Sequence, residues 1–254
     1  MTVRRAPIER LASGEQLLDA ATSRYLHRVL RLESGDAFLA FDPHARREAD
    51  ARIVRIEDGA VVASIGLLRE PRIVSARNVT LVQGLAKGEK CDAIVRDATE
   101  LGARKIIFVS TERSVVQLSG ERATDRLRRW MKIASEAARQ CGRSEAPSVT
   151  ISSWNDVMKS DAHDAARLVL DPHAVTPVAP LLLELAESER AIVFAVGSEG
   201  GISASELEMA QKQGWQRGRF GTTTLRTETT ATAFLGALRA FEDLAGAAFA
   251  VPST

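Results

Sequence analysis

Residues 191–196 form an unbroken apolar run that passes directly into Gly197-Ser198-Glu199-Gly200-Gly201-Ile202-Ser203. The run has the length of a strand buried on both faces, and Ser203 with Glu206 three residues later makes a capping box that opens a helix. Strand, glycine turn and capped helix constrain the fold more than any other stretch, because together they specify half of a βαβ unit. Three glycines let the backbone approach a bound molecule closely and present its amides. The spacing excludes the two common phosphate motifs. G-x-x-x-x-G-K-[ST] is absent, and Gly197, Gly200 and Gly201 do not make G-x-G-x-x-G. The turn is either a tight connection or a seat for another ligand.

The same alternation runs through the chain from residue 79. Strands are expected at 79–82, 105–109, 167–170 and 191–196, and helices at 90–101, 123–141, 203–213 and 229–244, with Gly102 placed as a C′ glycine. This predicts an α/β domain with a parallel sheet and helices on its faces. In such sheets ligands bind at the carboxyl ends of strands, which gathers 170–172, 196–203 and 225–229 on one edge. The first seventy residues read differently. A short helix around 21–30 precedes β-type segments at 37–41, 49–56 and 61–67, separated by Asp42-Pro43 and Asp58-Gly59 turns. They predict a small antiparallel barrel or sandwich, with Glu70-Pro71-Arg72 as the linker. Two domains result, residues 1–70 and 73–254.

The net charge of +1 hides an asymmetry: residues 71–144 carry 15 basic side chains against 8 acidic, and 145–254 carry 8 against 14. The basic excess lies between Arg113 and Arg143, where it either binds phosphates or forms a solvated face. On the helix 123–141, Leu127, Met131, Ala134, Ala138 and Cys141 make an apolar stripe. Arg122, Arg126, Arg129, Lys132, Arg139 and Arg143 stand elsewhere, for RNA or for water. The helix 229–244 is apolar nearly all round, which points to a second buried face and a homodimer. No apolar run reaches eighteen residues and the first five lack an h-region, so a cytoplasmic protein away from membranes is expected. Cys91 and Cys141 read as reduced, buried thiols. The histidines, His27, His44, His163 and His173, show no metal-binding spacing, so no metal is expected. There is no G-x-S-x-G nucleophile elbow. Asp161, His163 and Asp164 read as a surface loop.

Together the motifs resemble the bacterial RsmE family, enzymes that methylate N3 of a uridine in 16S ribosomal RNA. The resemblance is carried by His27-Arg28-Val29-Leu30-Arg31 with Gly35-Asp36, by Lys87-Gly88-Glu89-Lys90, and by Ala98-Thr99-Glu100-Leu101-Gly102. It continues through Thr111-Glu112-Arg113-Ser114-Val115 and Glu136-Ala137-Ala138-Arg139-Gln140-Cys141-Gly142-Arg143 with Pro147. The glycine turn and Leu225-Arg226-Thr227-Glu228-Thr229 complete it. The chain departs from the family's usual residues at Asp97 (Lys), at Ser198 (Pro), and at Thr223 and Thr224 (Arg-Ile).

The resemblance implies a small N-terminal PUA-like β-barrel for RNA. The C-terminal domain would be of the SPOUT α/β type, with a trefoil knot that binds S-adenosyl-L-methionine and dimerises. The cofactor would lie against Leu170, Val196, Gly197, Glu199, Gly200, Gly201, Phe220, Gly221, Leu225 and Thr227. Arg226 and Glu199 would act on the uracil, the arginine stabilising its anion and the carboxylate accepting the N3 proton or fixing the methionine amine. Arg28, Arg31, Arg113, Arg139 and Arg143 would contact 16S rRNA, free or in the 30S subunit. Two rivals stand beside this: an RNA-binding or ribosome-assembly factor with an inactive SPOUT domain, and a nucleotide-dependent α/β enzyme.

Overall fold

In the computed structural model of the chain, which describes residues 4–42, 45, 47–71, 77–143, 145–160, 164–188 and 190–244, the strands sort into two separate sheets. The described residues divide into two compact units, one drawn from Met1–Val74 and Ala138–Ala146, the other from Ser75–Ala137 and Pro147–Phe249. Pro43, His44, Arg72, Asp161 and His163, on which parts of the turn, histidine, linker and loop expectations fall, lie outside the described residues.

The first unit holds β1 (Arg5–Pro7), β2 (Gly14–Leu17), α1 (Ala20–Arg24), a π-helical turn (Tyr25–Val29), β3 (Ala37–Asp42), β4 (Arg47–Glu57) and β5 (Ala60–Ile65). Its sheet runs β1-β3-β4-β5-β2. Asp58 and Gly59 both take positive φ, 49° and 81°, the backbone of a tight hairpin between β4 and β5. Alternate residues of these strands close over Ile8, Leu26, Leu32, Phe38, Ile53 and Ile65 as one core. The sheet is not wholly antiparallel, because β1 pairs parallel with β3. At three residues ending in Pro7, β1 is too short to show a period, and proline confines it to an edge. The stretch expected at 61–67 ends at Ile65, and Leu67 is exposed.

The second unit is the expected α/β layer structure, with elements added. Its strands are β6 (Val79–Gly84), β7 (Lys105–Ser110), β8 (Ser148–Ser153), β9 (Ala166–Leu170), β10 (Ile192–Val196) and β11 (Gln216–Gly218). Its helices are α2 (Lys90–Glu100), α3 (Gly120–Cys141), α4 (Trp154–Met158), α5 (Ala179–Ala186), α6 (Ala204–Lys212) and α7 (Thr227–Leu244). All pairings are parallel, in the order β11-β9-β10-β6-β7-β8. Val82, Val109, Val169 and Ala195 pack on one face with Trp154 and Met158 of α4 and Ala210 of α6. On the other face Phe108 stacks on Trp130 of α3 at 4.1 Å, and Phe194 meets Phe234 of α7 at 4.4 Å. Burial on both faces is why these strands are apolar without alternation.

Two helix readings need correction. On α3 the expected stripe holds at Ala134 and Ala138, with Leu127 and Cys141 half-buried, but Met131 is 54% exposed and Trp130 and Ala137 are buried beside the stripe. Trp130 wins the core position because its ring stacks on Phe108 and its Nε1 donates to Asp92 Oδ1 at 3.0 Å. The apolar girth of α7 is largely consumed inside the unit by α2, α5 and β10, and Leu238 is fully buried there. Ala240 and Leu244 remain exposed, with Ala233, Gly236 and Ala237 half-buried. Cys91 is a buried free thiol, its pKa pushed up to about 11 by burial, but Cys141 is only half-buried. No described helix is long and apolar enough to cross a membrane.

Candidate functional site

The strand order changes direction between β6 and β10, so their carboxyl ends diverge into a crevice where open parallel sheets bind ligands. The glycine turn emerges from β10 at this point and is pinned from three sides. From β6, buried Gln83 donates through Nε2 to the Gly197 carbonyl at 3.3 Å and to Thr227 Oγ1 at 2.7 Å, and Thr227 Oγ1 itself donates to Gly197 O. A Cβ on Gly84 would stand 2.3 Å from the Ser198 nitrogen, so only glycine lets β6 pass the turn. Within the turn, the Gly201 amide donates to Ser198 O at 2.9 Å and Gly201 takes φ +73°. A Cβ on Gly197 would meet Gly201 at 2.7 Å, and one on Gly200 would meet the Arg113 carbonyl at 2.7 Å.

Beyond the turn, Ser203 and Glu206 form the expected capping box, with Ser203 N–H donating to Glu206 Oε2 at 2.9 Å and Glu206 N–H to Ser203 Oγ at 3.2 Å. The other oxygen of Glu206 accepts from the Glu112 amide at 2.9 Å, which ties the segment after β7 to the start of α6.

These segments wall a cavity of about 450 Å³. Of the residues proposed for a cofactor, Leu170, Val196, Gly197, Glu199, Gly200, Gly201, Phe220, Leu225 and Thr227 line it; Gly221 does not, and serves the adjoining turn at φ +78°. Arg226 and Arg113 line it too. Among the described residues no carboxylate lies within ion-pairing distance of the exposed Arg226 guanidinium, while Arg113 NH1 reaches Gly200 O at 3.4 Å. Asp171, within the expected edge 170–172, also lines the cavity; Lys90, His173 and Thr230 line it too and were not assigned to the site from the sequence. For His173 the available signal was its position just beyond the carboxyl end of β9. Lys90 had only its place in the Lys87–Lys90 motif.

Glu199 is engaged rather than free. Its Oε1 accepts from Lys90 Nζ at 2.9 Å and from the Lys87 amide at 3.0 Å. Burial alone would raise the Glu199 carboxyl, but the Lys90 bond, the backbone amides and the Lys90 charge outweigh it and hold the group below the usual carboxylate range. Lys90 is shifted the opposite way, upward, by its bond to Glu199. Both groups stay ionised at neutral pH.

The other proposed RNA residues lie in the first unit. Arg28 and Arg31 are exposed, Arg28 on the π-helical turn and Arg31 just after it with φ +54°. Arg139 is half-buried, its guanidinium 4.4 Å from the Tyr25 ring centroid. Arg143 is a correction: it is only 4% exposed and pairs with Glu145, so its charge is spent inside the protein. On α3, Arg129 donates to Asp92 at 2.8 Å and Arg128 to Asp125 at 2.8 Å, so that helix is less cationic than its sequence. Among the described residues no group of three or more His, Cys, Asp or Glu is arranged to hold a metal.

A family model described as an RNA methyltransferase domain matches residues 74–239, which contain the whole cavity. The chain is 32% identical over 234 residues to the ribosomal RNA small subunit methyltransferase E of Mycobacterium bovis, covering 90% of this chain and 85% of that protein. It is similar to a putative methyltransferase from Legionella pneumophila solved with the bound cofactor SAM, with a TM-score of 0.84 at 25% identity over 94% of this chain and 98% of that one. It is equally similar to a ribosomal RNA small subunit methyltransferase E from Neisseria gonorrhoeae bound to S-adenosyl methionine, with a TM-score of 0.83 at 28% identity over the same shares of 94% and 98%. Glycine turn, crevice and comparisons converge, and the chain belongs to the ribosomal RNA small subunit methyltransferase E family.

Proposed function

We propose that the chain is an S-adenosylmethionine-dependent methyltransferase acting on N3 of a uridine in 16S rRNA of the small ribosomal subunit. The observation that carries this reading is the glycine turn at the sheet's change of direction, whose close contacts at Gly84, Gly197 and Gly200 leave a walled cavity of about 450 Å³. The residues fit this cofactor. Leu170, Ile202, Phe220 and Leu225 offer apolar wall to a flat purine, and the glycines bring backbone amides and carbonyls within reach of its polar edges.

When bound, S-adenosylmethionine supplies an electrophilic methyl group. The chain's own residues orient the two reactants and keep water from between them. Arg226, at the cavity with no ion-pair partner among the described residues, stabilises the uracil anion left when N3 loses its proton. Glu199 is revised from proton acceptor to anchor, because a carboxylate held below its usual range pulls weakly on an imide proton. The proton then leaves to solvent base, and the rate rises with pH through the mildly alkaline range.

In this reading residues 1–70 are a PUA-like RNA-binding domain and residues 73–254 the catalytic one, with 138–146 of the latter packing in the first unit. Arg28, Arg31 and Arg113 meet RNA phosphates, and Arg143 is withdrawn from that set. The second unit carries the trefoil knot that the resemblance to the family implies, with Gly84 and Thr227 packed against the Gly197 turn. A cytoplasmic homodimer forms through the face of α7 that includes Ala240 and Leu244. Ala240→Glu should lower the mass measured by light scattering from about two chains to one, and an unchanged mass removes this face from the interface.

The test of the activity is mass spectrometry of digested 16S RNA after incubation with isotopically labelled cofactor, on naked RNA and on 30S particles. One labelled methyl at N3 of a uridine supports the proposal. A labelled ribose or C5 position refutes the chemistry. No label on either substrate favours an RNA-binding factor.

A further inference from the structure

We infer that Lys90 is a positioning residue that sets the width of the cavity, an ionic clamp holding the glycine turn and the start of α7 at a fixed separation. Lys90 is the first residue of α2, and its Nζ reaches Glu199 Oε1 on the turn at 2.9 Å and Glu228 Oε2 on α7 at 3.8 Å. Those carboxylates stand on the two segments between which a ligand must sit. Lys90 reaches both from a third wall.

Each half of the clamp has a separate physical reason. Glu228 Oε2 is buried and has no hydrogen-bond partner among the described residues. A buried carboxylate oxygen without compensation is costly, and the Lys90 ammonium is the nearby cation that offsets it. Glu199 is tied twice to the same stretch of chain, to the Lys90 side chain and to the Lys87 amide. The side chains of Lys90, Glu199 and Glu228 are 34%, 32% and 23% exposed, so water screens the cluster less than a surface pair. The Arg226 charge works against the Lys90 ammonium, and the bond to Glu199 with the charges of Glu199 and Glu228 outweighs it.

The clamp is therefore closed before any ligand arrives. Ligand affinity depends on Lys90 although its charge is spent on the protein. This rests on the S-adenosylmethionine reading of the cavity, and the experiment separates the two.

Amide exchange of the ligand-free protein and calorimetric titration with S-adenosylmethionine are compared for wild type, Lys90→Met and Lys90→Arg. Lys90→Met should raise exchange across 198–202 and 225–230, leave 105–110 and 166–170 unchanged, and weaken cofactor binding about 10-fold. Lys90→Arg should restore most of both. Weaker binding with unchanged exchange means that Lys90 touches the ligand itself, and overturns the clamp, as does no change in either. If wild type binds no S-adenosylmethionine yet Lys90→Met loosens both segments, the cofactor reading fails and the clamp stands.

Discussion

Two segments face each other across the cavity and are built in opposite ways. Residues 197–203 are held by Gln83 and Thr227 at the Gly197 carbonyl, by Lys90 and the Lys87 amide at Glu199, and by the capping box at Ser203. Gly221, Thr222, Thr223 and Thr224 are exposed, and none makes a hydrogen bond to another described residue. Only the ends of that loop are fastened. Phe220 meets Phe234 edge-on at 6.4 Å, and the Arg226 carbonyl accepts from the Thr230 amide at 2.8 Å. One wall of the site is preformed, so a ligand pays ordering entropy mainly at the other.

The comparison breaks most visibly at Gly200. Gly200→Val should weaken S-adenosylmethionine binding by about 100-fold or more while circular dichroism stays native, because the new side chain meets the Arg113 backbone. Here the constraint is contact, since the positive φ belongs to Gly201. Unchanged affinity would mean that the tight wall is dispensable. Arg226→Ala should lower the methylation rate by about 100-fold with cofactor affinity nearly unchanged, since its charge matters once the uracil anion forms. Single-turnover kinetics would expose equal losses in both quantities, which would make Arg226 a cofactor ligand instead.

The smaller effects sharpen the contrast. Ser203→Ala should cost about 1 kcal/mol and lower the melting temperature by about 2–4 °C, because the cap satisfies an orphan helix amide. Calorimetric melting checks it, and an unshifted transition would show that the other ties to the turn suffice. Thr223→Ala, on the open wall, should change stability by no more than about 0.5 kcal/mol and cofactor affinity by about twofold. A tenfold loss of affinity would show that the loop is as specified as the turn.

The legible parts of the fold were those with a local cause. The capping box needs only Ser203 and Glu206, and the central strands announce themselves as apolar runs. On α3 the spacing puts Met131 inside and leaves out Trp130, because it admits adjacent stripes, and only the partners of Trp130 choose between them. Strand β11 and helix α5 were missed because a Gln-Arg-Gly triplet and a leucine-rich octet carry no distinctive period. In the site, the glycines and Arg226 stood out as motifs. Lys90, Gln83 and Gly84 did not, because their roles exist only against residues more than a hundred positions away.

By itself the sequence determined the βαβ character, the glycine turn and its capped helix, since propensity, capping and glycine conformation act within a few residues. Tertiary structure decided which charges are available. It buried Arg143, laid Arg139 on Tyr25, joined Glu199 to Lys90 and set Arg226 at the cavity with no ion-pair partner among the described residues. A charge's chemistry depends on its solvation and on its nearest opposite charge, and both are set by packing between distant segments rather than by the residue's neighbours along the chain.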